Sequence, residues 1–217
     1  MPSELIQKTA DYVKLKLYSE PTGHDWFHVE RVWKMAKLLQ SEEGGDLELV
    51  ELAALLHDLG DYKQYGFNEN KGTLVLHGMM DILDIDEGWQ VKILTIIDEA
   101  QYKGTETKSP ETIEGKIIQD ADWLDALGAV GIGRTFATGG RIGRVMYDPH
   151  RKPRINLSKD DYLHRKTEGT SLNYFYEKIL KLPDLMNTKT ARRIAEERAK
   201  FIEEYIKQFK AEWEGEK

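Results

Sequence analysis

The chain has 217 residues, of which 40% are hydrophobic and 32% charged, a composition typical of a globular protein and too apolar for a disordered one. Its 31 Lys and Arg against 38 Asp and Glu give a net charge of −7, which argues against a general duplex-DNA binder, so no nucleic-acid partner is expected. The absence of cysteine excludes disulfides, cysteine nucleophiles and thiolate zinc sites, and it favours a cytoplasmic location. No run of about 18 apolar residues exists, so no membrane span is expected.

Apolar residues recur every three to four positions along almost the whole chain, which predicts helices and no confident strand. The predicted helices span about 3–18, 24–43, 46–59, 71–84, 88–101, 110–137, 160–181 and 188–213. Gly44 and Gly45 end the second helix, and Asp46 can cap the third. Residues 138–158 are the one long irregular segment. With no repeat or linker in view, we expect one compact all-α domain over 1–217, with the C-terminal helices of 160–213 packed on it.

Three segments carry most of the chemistry, and they read GHDWFHVERV from Gly23, ALLHDLGD from Ala54 and QDADWLDALG from Gln119. In the second predicted helix, His28 begins an otherwise apolar stripe. In the third, His57 lies on an inward stripe and Asp58 leans the same way, and in the sixth Asp122 shares a face with Ile118. Three helices are therefore expected to aim His or Asp side chains at the interior.

A buried carboxylate is costly unless it is paired or bound to a metal ion. No basic residue shares the stripe that ends at His57, so a divalent cation held by His28, His57, Asp58 and Asp122 would resolve the conflict. Two imidazoles and two carboxylates without sulfur suit Mn²⁺, Co²⁺, Ni²⁺, Fe²⁺ or Zn²⁺ in an open site. Taken singly, each of these residues is better explained as a hydrogen-bonded core histidine or a capping carboxylate. Only the combination favours a metal centre.

The order of His28, the His57-Asp58 pair and Asp122 resembles the HD-domain superfamily of metal-dependent phosphohydrolases. The similarity extends through GHDWFHVERVW, ELAALLHDLGD, EGKIIQDADWLDALGAVGIGRTF and the closing AEWEGEK, which resemble the stand-alone bacterial YpgQ-type subgroup. The resemblance implies an all-helical HD fold and a single metal ion on those four ligands, with Mn²⁺ favoured and Ni, Co, Fe, Zn or Mg as alternatives. It also implies hydrolysis of phosphate esters or anhydrides, and it places Asp61 where several HD nucleotidases have a catalytic acid.

Four further residues are candidates for catalytic or phosphate-binding roles. Asp61, one helical turn beyond His57, could orient water or move a proton, or could be a loop carboxylate. His24 could contact a phosphate or simply start a helix. Arg31 could pair with a carboxylate or face solvent, and Lys103 could hold a phosphate or be solvated.

Residues 134–154 hold six basic residues against one acid. Such a positive segment on an acidic chain can attract a polyphosphate. Arg141 and Arg144 are the candidates for contact with the β- or γ-phosphate, because the guanidinium fork binds phosphate oxygens in pairs. The alternative is a segment that pairs with the acidic surface or with another subunit, which leaves a homo-oligomer open.

The sequence therefore predicts a metal-dependent phosphohydrolase acting on a nucleotide or another phosphorylated small molecule. The favoured reaction converts a (deoxy)nucleoside triphosphate to monophosphate and pyrophosphate. A nucleoside monophosphatase and a cyclic-nucleotide phosphodiesterase are the alternatives within the enzyme class. A nucleotide-sensing module that binds without turnover is the alternative outside it.

Overall fold

The computed structural model describes residues 3–18, 23–59, 69–164 and 167–216, and within these ranges it contains helices and no strand. The prediction of an all-α protein is confirmed. None of the described helices combines the length and the apolar character needed to cross a bilayer. In chain order the helices are α1 (Glu4–Leu17), α2 (Trp26–Glu43), α3 (Leu47–Leu56), α4 (Glu69–Ile82), α5 (Glu87–Ala100), α6 (Ile113–Asp125), α7 (Gly128–Arg141), α8 (Lys159–His164), α9 (Ser171–Glu177), α10 (Leu182–Leu185) and α11 (Lys189–Trp213).

The first three helices begin at side-chain caps that the sequence supplies. Ser3 accepts a hydrogen bond from the amide of Ile6, and Asp25 accepts one from the amide of His28. Asp46 accepts from two amides in the first turn of α3, as predicted. Gly44 ends α2 with a φ of +86°, a left-handed conformation that favours glycine.

Helix α3 is buried on every side. Each residue from Leu49 to Leu56 is buried, and the helix packs against α1, α2 and α5. The one charged side chain in that run, Glu51, accepts a hydrogen bond from Trp33 Nε1 and pairs with Lys37 Nζ, each at 3.0 Å. A helix that is apolar all round lies within the core. The residues that follow the last turn of α3 therefore begin inside the core.

The chain divides into two compact units, the first comprising Met1–Gln101 with Ser109–Ala121 and the second Tyr102–Lys108 with Asp122–Lys217. In the second unit, α7 packs against α9 and α11. Phe136, Phe175, Tyr205 and Phe209 form an aromatic cluster there, with neighbouring ring centroids 6.0 to 6.4 Å apart. The expectation of one domain over 1–217 stays a prediction.

The predicted continuous helix over 110–137 is wrong, because the chain breaks between α6 and α7. Gly128 has a φ of +72°, and a Cβ on Gly131 would collide with the carbonyl oxygen of Ala126. The Leu124 carbonyl at the end of α6 accepts a hydrogen bond from Arg198 of α11. Because α7 runs on to Arg141, the predicted irregular segment 138–158 also starts too early.

The predicted helix over 160–181 is also wrong, since it is divided into α8, α9 and a 3-10 helix at Ile179–Lys181. Thr170 caps α9 by accepting a hydrogen bond from the amide of Asn173. A Cβ on Gly169 would lie 3.0 Å from a carboxylate oxygen of Glu177. Tertiary contacts and a cap therefore end the local helical pattern here.

The cap of α3 gives a stability prediction. Replacement of Asp46 by Ala removes the acceptor for two helix amides and should lower the free energy of unfolding by about 1 kcal/mol. Urea denaturation followed by far-UV circular dichroism measures the change. Asp46→Asn keeps the acceptor and is the matched control, so equal losses in the two variants would show that the cap is not the cause.

Candidate metal centre

The start of α2 places two histidines at one end of the first unit. The Asp25 carboxylate accepts a hydrogen bond from the backbone amide of His28 at 2.9 Å, which fixes the first turn of the helix. The His28 side chain is fully buried, whereas that of His24, just before the cap, is 36% exposed. One histidine therefore lies in the interior and the other reaches it from the solvent side.

The end of α3 supplies the next two groups. His57 is the C-cap residue of α3, and Asp58 follows it. The ring Nδ1 of His57 lies 2.8 Å from the carbonyl oxygen of Ala54, an acceptor, so Nδ1 carries the proton and donates it. In the neutral ring, Nε2 then presents a bare lone pair, the tautomer that a metal-binding histidine needs.

These side chains converge on a small volume inside the first unit. His28 Nε2 lies 3.2 Å from His57 Nε2 and 3.2 Å from Asp58 Oδ2. His57 Nε2 lies 3.6 Å from Asp58 Oδ1, and His24 Nδ1 lies 2.9 Å from Asp58 Oδ2. Ring nitrogens and carboxylate oxygens thus face one another at distances of 2.9 to 3.6 Å.

The donor set fits a divalent metal ion. Ligand atoms about 2.0–2.2 Å from one ion lie about 3.0–3.5 Å from each other, which matches the 3.2 Å separations of His28 Nε2 from His57 Nε2 and from Asp58 Oδ2. The metal-binding atoms of His24, His28 and Asp58 also lie within 4.8 Å of one another. Two facing imidazole nitrogens need a proton or a cation between them, and these groups could hold the cation.

The electrostatics favour an ionised carboxylate. Burial opposes the charge of Asp58, but His24, His57 and His28 outweigh it, and the pKa of the Asp58 carboxyl is held well below its usual value. The group therefore offers a hard anionic oxygen at neutral pH, as Mn²⁺ and Mg²⁺ prefer.

The expected fourth ligand, Asp122, lies in α6 and belongs to the second unit, so its place in the ligand set stays a prediction. It is half-buried, and its charge acts on the Lys178 ammonium of the same unit. The sequence pattern does not predict this electrostatic influence on Lys178.

The other candidate residues are distributed over both units. Arg31 is half-buried on α2, and Lys103 precedes the 3-10 helix Gly104–Glu106 with its amide donating to Thr107 Oγ1 at 2.8 Å. Arg141 is the exposed last residue of α7, and Arg144 is buried. Asp61 lies outside the described residues. Their roles stay predictions.

Of the alternatives considered for the positive segment at 134–154, pairing with acidic groups accounts for part of its charge. Arg134 pairs with Asp125 at 3.0 Å, and Arg154 forms two hydrogen bonds through its side chain with Glu177. Arg151 pairs with Asp148 at 3.1 Å. Three of the six basic side chains are thus paired with carboxylates within the second unit, and for Arg154 the carboxylate, Glu177, is distant in sequence.

Fold and site together define a helical protein with clustered His and Asp side chains suited to a divalent metal. The HD domain family matches residues 26–127. The uncharacterised protein YpgQ of Bacillus subtilis is 35% identical over 211 residues, which cover 94% of this chain and 91% of YpgQ. The chain belongs to the HD-domain superfamily, as its resemblance predicted.

Solved structures agree with this assignment. A protein of Lactobacillus plantarum has a TM-score of 0.87 and 33% identity, with 99% of each chain covered. An HD-superfamily hydrolase of Bacillus thuringiensis is 42% identical, with a TM-score of 0.70 and 96% of each chain covered. YpgQ in complex with ADP has a TM-score of 0.69 and 34% identity, over 94% of this chain and 97% of YpgQ.

The converging donors predict a measurable metal dependence. Asp58→Asn removes the anionic ligand and should lower the metal affinity by more than about 100-fold. Loss of a residue that only hydrogen-bonds to a ligand typically lowers it by about 10–100-fold. Elemental analysis of protein purified without chelator measures the bound ion. Asp81→Asn is the matched control, since Asp81 makes an exposed contact with His77 at 3.5 Å in the same unit. Equal metal content in both variants would rule out Asp58 as a ligand.

Proposed function

We propose that this chain is a metal-dependent phosphohydrolase that converts (deoxy)nucleoside triphosphates to monophosphate and pyrophosphate. The observation that carries the proposal is the convergence of His28, His57 and Asp58 around a volume suited to one cation. The crystallised complex of the similar protein YpgQ with ADP supports a nucleotide as the ligand. Similarity to an HD-superfamily hydrolase supports turnover rather than sensing alone.

His28, His57, Asp58 and Asp122 are the proposed ligands of one divalent ion, with Mn²⁺ as the favoured metal because the donors are nitrogen and oxygen. When bound, such an ion polarises a phosphoryl oxygen and makes water a better nucleophile. The chain holds its donors ready: the Ala54 carbonyl fixes the ring of His57, and His24 contacts the Asp58 carboxylate. Fixed donors reduce the reorganisation needed in the transition state.

The proposed reaction is an in-line attack of water on the α-phosphorus. The bond from this phosphorus to the bridging oxygen breaks, and the bond electrons leave with pyrophosphate. Asp61 takes a proton from the attacking water, as its position three residues after Asp58 suggests. His24, Arg31, Lys103, Arg141 and Arg144 are the proposed phosphate contacts.

Product analysis tests the reaction. Metal-loaded protein should convert a triphosphate to equal amounts of monophosphate and pyrophosphate, and chromatography separates them. In water enriched in heavy oxygen, the label should enter the monophosphate, because attack is on the α-phosphorus. Orthophosphate from a monophosphate would indicate a monophosphatase, and a linear product from a cyclic nucleotide would indicate a phosphodiesterase. Tight binding without any product would contradict the proposal in favour of a sensor.

Asp61 has its own test. Asp61→Asn keeps the size of the side chain and removes its basicity, so kcat should fall by about 10²-fold or more. Metal content, measured in parallel, should stay at the wild-type level. A wild-type kcat in this variant would remove Asp61 from the proposed mechanism.

A further inference from the structure

The ammonium of Lys178 lies against a pair of aromatic rings in the second unit. Its Nζ is 4.6 Å from the ring centroid of Tyr102 and 5.1 Å from that of Tyr162, and it donates to Tyr162 Oη at 3.0 Å. The two rings meet edge to face at 5.0 Å. One hydrogen bond and two ring faces therefore fix the position of the cation and leave donor capacity on an ammonium with three N–H groups.

Lys178 keeps its charge at this position. Burial opposes the charge, but Tyr162, Tyr174 and Asp122 outweigh burial, so the pKa of Lys178 is raised. Burial raises the pKa of Tyr174, which is therefore a neutral phenol at neutral pH. Among the residues that the structure describes, no carboxylate forms an ion pair with Lys178 Nζ. The cation is held mainly by rings and phenols, with Asp122 acting on it electrostatically.

A second cation joins the same cluster. Arg144 is only 8% exposed, and its guanidinium carbon lies 4.6 Å from the ring centroid of Tyr174. The hydroxyl of Tyr174 lies 3.4 Å from that of Tyr162, which in turn holds Lys178. The two tyrosines thus link two positive groups. Two positive groups held close together favour the binding of an anion.

Trp123 adds a buried hydrogen-bond donor beside the same ring of Tyr102. It follows Asp122 directly, is 2% exposed and lies edge to face with Tyr102 at 5.9 Å. Its indole Nε1 has no hydrogen-bond partner within the described part of the chain. A buried donor of this kind ordinarily finds an acceptor, so an acceptor from outside the described residues is expected here.

We propose that Lys178 and Arg144 bind the phosphate chain of the nucleotide, with Lys178 holding the phosphate nearest to Asp122. This inference rests on the proposed function, since it takes a polyphosphate as the ligand. A lysine ammonium is a compact point charge that suits a phosphate oxygen, and the arginine fork suits a terminal phosphate. The tyrosine hydroxyls orient both cations and add no charge of their own. Selectivity for polyphosphates over monophosphates follows, because only a chain of phosphates reaches both cations.

Binding measurements separate this role from a structural one. Titration calorimetry with inorganic pyrophosphate and with ADP should show affinity lowered at least about tenfold in Lys178→Met, the loss expected for one charge-assisted hydrogen bond. Lys178→Arg should retain part of it. The matched control is Lys210→Met, because Lys210 Nζ also contacts a tyrosine of this unit, 3.1 Å from Tyr176 Oη and 5.0 Å from its ring centroid. This control should bind both probes as the wild type does.

The outcomes are distinguishable. If wild-type protein binds pyrophosphate and Lys178→Met binds it equally well, the inference fails and the proposed function stands. If wild-type protein neither binds nor hydrolyses nucleotides, both fail. Should Lys178→Met not fold, Tyr162→Phe removes only the hydroxyl that anchors the ammonium, and it should weaken pyrophosphate binding several-fold. In turnover assays, Lys178→Arg should raise KM for a triphosphate more than for an aryl phosphate monoester, and equal changes would contradict the inference.

Discussion

The first unit depends on how the Asp58 carboxylate is accommodated at the end of α3. Because that helix is buried from Leu49 to Leu56, the polar pair that follows it enters the interior. The compensating groups come from the start of α2, where His24 and His28 reach the carboxylate. The short connection through Gly44 and Gly45 makes α2 and α3 neighbours in the fold and favours an antiparallel arrangement. The turn between the helices thus places the beginning of one beside the end of the other, and the site is a consequence of that hairpin.

The clustering of His24, His28 and His57 around Asp58 is not explained by its contribution to the stability of the fold. A buried cluster of imidazoles around a carboxylate pays a desolvation cost that apolar side chains of similar size would avoid. The same unit shows the alternative, since the rest of the α3 core is Leu, Val and Ala except for Glu51, which Trp33 and Lys37 satisfy. At His28 and His57 the nitrogens instead face each other at 3.2 Å. Such an arrangement could hold a cation, and binding of the cation would offset the desolvation cost.

The features that could be predicted from the sequence depend on interactions between residues close together in the chain. The caps at Asp25 and Asp46 and the glycine end of α2 are decided within four residues, so the early helices follow from the pattern. The break after α6 is not local in this sense. It depends on the left-handed backbone at Gly128 and on Arg198, which reaches the Leu124 carbonyl from far along the chain. Apolar periodicity continues across such a break, because both helices bury a face, and it therefore predicts one helix where there are two.

In the candidate site too, some features follow from the local sequence and others depend on contacts between distant residues. His28, His57 and Asp58 could be found because each lies on or directly after a helix whose apolar stripe shows where the side chain points. The pairing of Arg154 with Glu177, by contrast, joins residues 23 apart that share no helix, and it removes charge that the sequence count treats as available. Lys178 is the opposite case, a basic residue that the sequence analysis did not select. Nothing in the order of residues separates it from any solvated lysine near a helix end, yet the rings of Tyr102 and Tyr162 hold its charge inside the second unit. Burial, ion pairs and aromatic contacts decide which basic side chains can bind an anion. The number of basic residues in a segment of the sequence therefore does not locate an anion-binding site.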